Sequence, residues 1–325
     1  TSDKPASIAN RDPLTQQEIN RATRNYRCRA ESLLAIDEGV SRIIGALRES
    51  GELKNTLFVY TSDNGFFHGE HRLQAGKNRV YEEAIRVPLL MRGPGVPKGV
   101  EVEEMAINAD LSPTLLDAAG AKATLPQDGR SLLKLADEPE RSFGRELLIE
   151  QFSPDGEDGE PIGTEYQAVR TQRYLYAQNA TGELELYDLD ADPFQLQNQI
   201  ANPAYDEVEA ALAARLATLA DCRGKSCRAK PALKLRLPKS ERRAGERCTP
   251  AGGFLAEVTS RAQSRLIRVT FRVNGRKVGV DKKAAFARRL PAKALRRRNK
   301  AEIEADAELV DGRVLTLHEK PRICG

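Results

Sequence analysis

Leu57-Phe58-Val59-Tyr60-Thr61, followed at once by Ser62-Asp63-Asn64-Gly65, is the stretch on which the fold turns. A short continuous apolar run of this kind suits a strand buried on both faces of a parallel sheet. The turn-forming quartet then stands at the strand's carboxyl end, where open α/β sheets hold their ligands. Upstream, Thr15-Gln-Gln-Glu18 is a capping box preceded by Leu14. From Ile19 to Leu47 the apolar positions keep helical spacing, and Ser50-Gly51 ends the helix. Downstream, Val87-Pro-Leu-Leu-Met91 is a second strand closed by Arg92-Gly-Pro-Gly95. Asp110-Leu-Ser-Pro113 opens another helix, which stops before Gly120. Helix, strand, loop, strand and helix in that order define an α/β class. Residues 1–13 read as an irregular lead-in.

From about residue 146 the pattern changes. Leu147-Leu-Ile, Tyr166-Gln-Ala-Val-Arg170, Tyr174-Leu-Tyr and Leu184-Glu-Leu-Tyr187 alternate and are split by turns, which predicts a small antiparallel sheet. Residues 204–220 form a closing amphipathic helix. Residues 222–247 read as a basic, Pro-containing linker. Strands return in 248–325, with Asn274-Gly275 as the turn of a hairpin. Short strands in this number predict a β-sandwich of immunoglobulin-like type.

The 325 residues are 40% hydrophobic and 30% charged, with no Trp and a mean hydropathy of −0.52. No apolar run is long enough to span a membrane. The net charge of +4 hides a division. Residues 1–221 hold 23 basic and 37 acidic side chains, a net of −14, and residues 222–325 hold 28 and 10, a net of +18. Cys28 stands alone in a helical pattern and is expected to be a buried free thiol. The other four cysteines lie in the basic third. Their positions favour Cys222–Cys227 and Cys248–Cys324 disulfides, and so an oxidising compartment, over zinc, for which no His lies near. The chain opens with Thr in a polar stretch, which reads as the middle of a longer protein.

Asp63 and Asn64 offer two hard oxygen ligands suited to Ca²⁺ or Mg²⁺. By itself the Asp-Asn-Gly tripeptide reads more readily as a tight turn. The long polar loop Phe66–Lys77 that follows, with His68, His71 and the cation Lys77, could hold an anionic substrate group.

With these residues in place the chain resembles the formylglycine-dependent sulfatases. The resemblance is carried by Ser62-Asp-Asn-Gly65, Gly69-Glu-His71, Lys77, Tyr81-Glu-Glu83, Arg86-Val-Pro-Leu-Leu90, Arg92-Gly-Pro-Gly95, Asp110-Leu-Ser-Pro-Thr114 and Asp128-Gly-Arg130. It continues through Tyr166–Thr171 and Leu186-Tyr-Asp-Leu189 to Cys222, and it is similar to arylsulfatases and N-acetylglucosamine-6-sulfatases in particular. It implies an alkaline-phosphatase-like α/β fold, with residues 1–145 as the carboxyl-terminal part of the catalytic domain and 146–221 as a small antiparallel subdomain. It also implies a secreted enzyme that hydrolyses sulfate esters of glycans or aryl groups. Asp63 and Asn64 match the family's second pair of metal ligands, usually calcium, and Lys77 matches the lysine that contacts sulfate. His71 would line the substrate pocket. Arg79, Glu82 and Glu83 are expected to form structural salt bridges.

The departures are as informative. The family's nucleophile, a Cys or Ser in Cys/Ser-x-Pro-x-Arg oxidised to formylglycine, is absent, as is its Asp-Asp metal pair. Cys248-Thr-Pro-Ala-Gly252 lacks the Arg and falls on the wrong side of Asp63. The 325 residues are therefore expected to be inactive alone. Alternatives are a phosphodiesterase or phosphonate hydrolase of the same superfamily, or a non-catalytic glycan-binding relic. Asp188-Leu-Asp-Ala-Asp192 lacks the Gly and Glu of an EF-hand and reads as a turn. The basic run from Arg288 to Arg298 could contact an anionic polysaccharide or cell wall. Nucleic acid is disfavoured because interleaved aromatics are scarce.

Overall fold

The computed structural model describes every residue except 1, 139–143, 153–163, 229–232, 239, 244–245, 251, 261–265, 284, 296–299, 311 and 325. Arg296-Arg-Arg298 of the basic run thus lies outside the described residues.

The lead-in is more ordered than its sequence suggests. Helix α1 (Ala6–Ala9) buries Ile8, and the preceding Lys4 is 5% exposed. Helix α2 (Gln16–Glu49) begins with the expected capping box. Thr15 Oγ1 accepts from the Glu18 amide at 3.3 Å, and the Thr15 amide donates to Glu18 at 2.8 Å. Strand β1 (Phe58–Thr61), helix α3 (Glu82–Ile85), strand β2 (Leu89–Arg92) and helices α4 (Leu111–Ala118) and α5 (Leu133–Asp137) follow.

β1 and β2 correct the expectation of a parallel sheet. They pair antiparallel, Phe58 with Arg92 through Thr61 with Leu89, and neither is fully buried. The apolar run reported burial potential, but the partner strand is reached by a loop that reverses the chain. Gly93 makes the close approach possible: its φ is +146°, and a Cβ there would lie 2.6 Å from the Thr56 carbonyl oxygen. Cys28 is a second correction: it is free but exposed, because only Ala22 of α2 is buried.

The antiparallel sheet forms as read, a meander of β3 (Leu147–Phe152), β4 (Thr164–Arg170), β5 (Tyr174–Asn179) and β6 (Leu184–Asp188). One face carries Ala168, Leu175, Ala177 and Tyr187 and packs on Ile8, Phe67, Val80 and Tyr81. The other packs on helix α6 (Asp206–Ala220), whose Val208, Leu212, Leu216 and Leu219 meet Val169, Tyr174, Tyr176 and Leu186. Each such side chain fully removed from water contributes about 1.5–3 kcal/mol.

The span 222–247 is not a free linker. It contains β7 (Leu233–Arg236), β8 (Glu241–Arg243) and the start of β9 (Glu246–Cys248). Leu235 alternates inward between exposed Lys234 and Arg236, so a basic composition concealed a half-buried strand. β10 (Phe254–Ser260), β11 (Leu266–Val273), β12 (Arg276–Asp281), β13 (Ala287–Leu290), β14 (Ile303–Leu309) and β15 (Val314–Glu319) complete two antiparallel sheets, ordered β13-β10-β7 and β12-β11-β14-β15. Their inner faces share one core, including Phe254, Val258, Phe271, Leu290, Ile303 and Leu309. Asn274 and Gly275 both have positive φ, +50° and +76°, as a two-residue hairpin turn requires. Disulfides join Cys222 to Cys227 and Cys248 to Cys324.

Candidate functional site

The site begins at the carboxyl end of β1. Ser62 Oγ donates to the Asn64 carbonyl at 2.9 Å, and the Asn64 amide donates to Asp63 Oδ1 at 3.0 Å. Both bonds hold the turn that presents Asp63 and Asn64. Gly65 seats the turn on α3: its amide donates to the Ala84 carbonyl at 2.8 Å. A Cβ at Gly65 would fall 2.0 Å from the Glu83 carbonyl oxygen, so only glycine fits.

The antiparallel sheet in turn holds α3. Glu82 accepts two hydrogen bonds from Arg170 of β4, at 2.8 and 3.3 Å, and its amide donates to Gln195 Oε1 at 2.7 Å. Tyr81 donates to Glu185 of β6 at 2.8 Å, and Tyr187 donates to the same carboxylate oxygen at 2.6 Å. Burial, followed by the nearby Glu185 charge, pushes both phenols up, so they remain donors. Lys4 Nζ donates to Tyr187 at 2.9 Å and lies 4.5 Å from the Tyr81 ring centroid. Burial lowers the Lys4 pKa, an effect that Glu185 opposes.

Lys77 reaches the turn from the end of its polar loop. Its ammonium donates to Asn64 Oδ1 at 2.7 Å and lies 3.7 Å from Asp63 Oδ2. The Lys77 and Asp63 side chains are 50% and 81% exposed, so the group is open to solvent. Three of the four sequence-predicted site residues therefore come together.

His71 does not join them. It is 6% exposed, stacks on Tyr81 with 4.0 Å between ring centroids, and places Nε2 3.4 Å from Glu83. Its Nδ1 is buried without a hydrogen-bond partner. Burial raises the Glu83 carboxyl, but the His71 hydrogen bond and a backbone amide outweigh it and leave the pKa lowered. Glu82 pairs with Arg170, and Arg79 with Glu165 at 3.9 Å, in keeping with the structural salt bridges expected of them, while Glu83 meets His71 in a hydrogen bond. Ser62 was not singled out by sequence. Its signal was only its place before Asp-Asn-Gly, where a hydroxyl can close an ST turn.

The donor set fits a divalent cation. An ionised carboxylate and an amide oxygen converge on one positive group, the Lys77 ammonium, which stands where a hard cation would find the same two oxygens. Formylglycine finds no such fit. The sequence holds no Cys/Ser-x-Pro-x-Arg, and Cys248, in the nearest look-alike, is bonded to Cys324.

Comparison with known proteins now assigns the family. Residues 2–121 match the sulfatase family, and residues 69–221 match the family described as N-sulphoglucosamine sulphohydrolase, C-terminal. An arylsulfatase of Volvox carteri is 35% identical over 254 residues, covering 70% of this chain and 39% of the relative. The N-acetylglucosamine-6-sulfatase of Homo sapiens is 33% identical over 245 residues, 66% of this chain and 44% of the relative. A solved protein in complex with its substrate, D-glucosamine-2-N,6-O-disulfate, aligns with a TM-score of 0.51 and 31% identity over 57% of this chain and 38% of that one. Through residue 221 the chain belongs to the sulfatase family. It spans about two fifths of the length of the curated relatives it matches.

Proposed function

We propose that this chain supplies the metal-and-anion part of the site of a sulfuric ester hydrolase. The observation that carries this reading is the convergence of Asp63 and Asn64 on Lys77, within the segment of sulfatase match. Asp63 and Asn64 would hold Ca²⁺ or Mg²⁺. A bound cation there supplies Lewis-acid polarisation of a sulfate oxygen. Lys77 exchanges its bond to Asn64 for one to a sulfate oxygen and stabilises the charge that builds on it. His71, buried under Tyr81, acts on the loop's position more than on substrate. The substrate class that the relatives support is a sulfated glucosamine-type glycan, with aryl sulfates as convenient probes.

The reading extends to the rest of the chain. Two disulfides in the basic third support an oxidising, extracellular compartment. Among the described residues, no helix is long and apolar enough to cross a membrane. Seven strands in two antiparallel sheets of three and four support the immunoglobulin-like assignment, with β7 moving its start back to about residue 233.

The test is an assay of residues 1–325 on 4-nitrocatechol sulfate beside a longer protein that carries Cys/Ser-x-Pro-x-Arg. The 325 residues are expected to be inactive, for want of a nucleophile. Turnover within about tenfold of the longer protein, a barrier difference of about 1.4 kcal/mol, overturns this division of the site.

A further inference from the structure

The two outer faces of the sandwich carry charge in opposite ways. On the β12-β11-β14-β15 sheet most of the cations have carboxylate partners, with Arg276 and Lys277 of β12 the exceptions among the described residues. Arg268 pairs with Glu308, Arg272 with Asp306 at 3.0 Å, and Lys320 with Glu302 at 2.7 Å, while His318 lies 3.9 Å from Glu304. Lys282 reaches Glu207 of α6 at 3.1 Å. That face is close to self-neutralised.

The β13-β10-β7 sheet differs. Phe254, Ala256 and Val258 point into the core, so Leu255, Glu257 and Thr259 face out. Residues directly opposite in an antiparallel pair share a face. Register places Arg289 opposite Leu255, Arg236 opposite Glu257 and Lys234 opposite Thr259. All three cations are exposed, and Glu257 is the only acid opposite them. Among the described residues, none of the three is within ion-pair distance of a carboxylate. With β10 between β7 and β13, the cations spread over about 10 Å, two strand spacings.

We infer that this outer face is a docking surface for the chain of a sulfated polysaccharide. Like charges gathered on one face repel one another, and a linear polyanion relieves that repulsion while releasing its own counterions. The cations are open and spaced, not closed around a pocket, which suits a polymer over a single small anion. A single-stranded nucleic acid would be held by aromatic platforms on which its bases stack. Phe254, Phe271 and Phe286 are 6%, 0% and 3% exposed, whereas the apolar group among the cations is the aliphatic Leu255, 54% exposed. The choice of sulfate as the anion rests on the proposed hydrolase activity. The face itself does not.

The experiment titrates a fluorescently labelled heparin oligosaccharide with the full chain and reads anisotropy between about 0.05 and 0.5 M salt. The triple variant Lys234→Ser/Arg236→Ser/Arg289→Ser is expected to bind at least about tenfold more weakly and with a shallower salt dependence. The charge-matched triple Lys277→Ser/Lys282→Ser/Lys320→Ser, drawn from the other sheet's side, should lose less than about threefold, because distant exposed charges are screened. Should either triple fail to fold, Arg236→Glu against Lys277→Glu makes the same comparison with one exposed residue each. Equal losses on the two sheets would show that net charge alone binds, and would overturn the assignment. So would affinity indifferent to salt, or tighter binding of an oligo-dT strand than of heparin. The readout needs no turnover. An intact protein that fails to cleave sulfate yet binds through this face refutes the hydrolase and leaves the surface standing.

Discussion

Helices α2 and α6 have the same kind of sequence and opposite surroundings. Both repeat apolar residues at helical spacing. In α6, Val208, Leu212, Leu216 and Leu219 are at most 7% exposed, between the four-stranded sheet and Ile267 and Val310 of the sandwich. In α2, Tyr26, Leu33, Leu34 and Ile43 are each more than half exposed. Periodicity states that a face is apolar and leaves open what covers it. The contrast extends to the regions around the two helices. Before residue 138 the buried apolar side chains are few, and most of them, Ile8, Phe67, Leu73, Val80, Tyr81 and Ala84, are buried against the sheet that follows, whereas after it they form the sheet and sandwich cores. The site turn belongs to the sparse region. It gains its fixed position by seating Gly65 on α3, which Arg170 and Glu185 tie to the packed sheet.

The sharpest test of this division is chemical. On the proposed hydrolase reading, Lys77→Ala in a longer protein that carries the nucleophile should lower kcat/KM by about 10² to 10³, the scale for losing one group that stabilises developing charge, and Asp63→Ala should lower it further and release the proposed metal. Because Asp63 is mostly exposed, the metal-free Asp63→Ala protein should lose no more unfolding free energy than a surface substitution allows, about 0.5 kcal/mol. Retained metal and turnover would remove Asp63 from the site. In the packed region the expectation reverses. Cys248→Ser/Cys324→Ser opens a loop of sequence separation 76 and should cost about 4 kcal/mol in denaturant titrations, with sulfate turnover unchanged.

Smaller effects compare the helices directly. Leu212→Ala, at 0% exposure, should destabilise by about 2–5 kcal/mol, and Leu34→Ala by less than about 0.5 kcal/mol. Equal costs would mean that the face of α2 is covered in solution. The smallest effect is in pH. Burial raises the Asp188 carboxyl, but its bonds from Arg173 at 2.9 and 2.6 Å, together with the guanidinium charge, outweigh that and leave it below 3.8. Its contribution to stability is present above that value and is lost as pH falls through the lower folded pKa. Asp188→Asn should therefore flatten the acid limb of a stability-against-pH curve.

What the sequence disclosed was mostly local. The capping box at Thr15, the Asn274-Gly275 turn and the meander from Leu147 to Asp188 each depend on neighbours in the chain. Asp63, Asn64 and Lys77 were legible because hard oxygens and a nearby cation imply a shared ion before any geometry is known. Non-local pairing was not legible. Leu233–Arg236 pairs with a strand some twenty residues on, and its basic outer face masked the inward Leu235. Nor did anything in Gly69-Glu-His71 indicate that the imidazole turns inward, with φ of +53°, to lie on Tyr81.

The Cys248–Cys324 bond also has a mechanical meaning. It encloses β10 through β15 in a covalent ring, so a pull applied outside the ring can strip away β7 and β8 but cannot lengthen what lies between the two cysteines. About 250 Å of contour length, some 3.3 Å for each residue of the 76-residue separation, is withheld from extension until the bond is reduced. Held at its ends, the oxidised sandwich is a tether of nearly fixed length, and a reductant turns it into a spring.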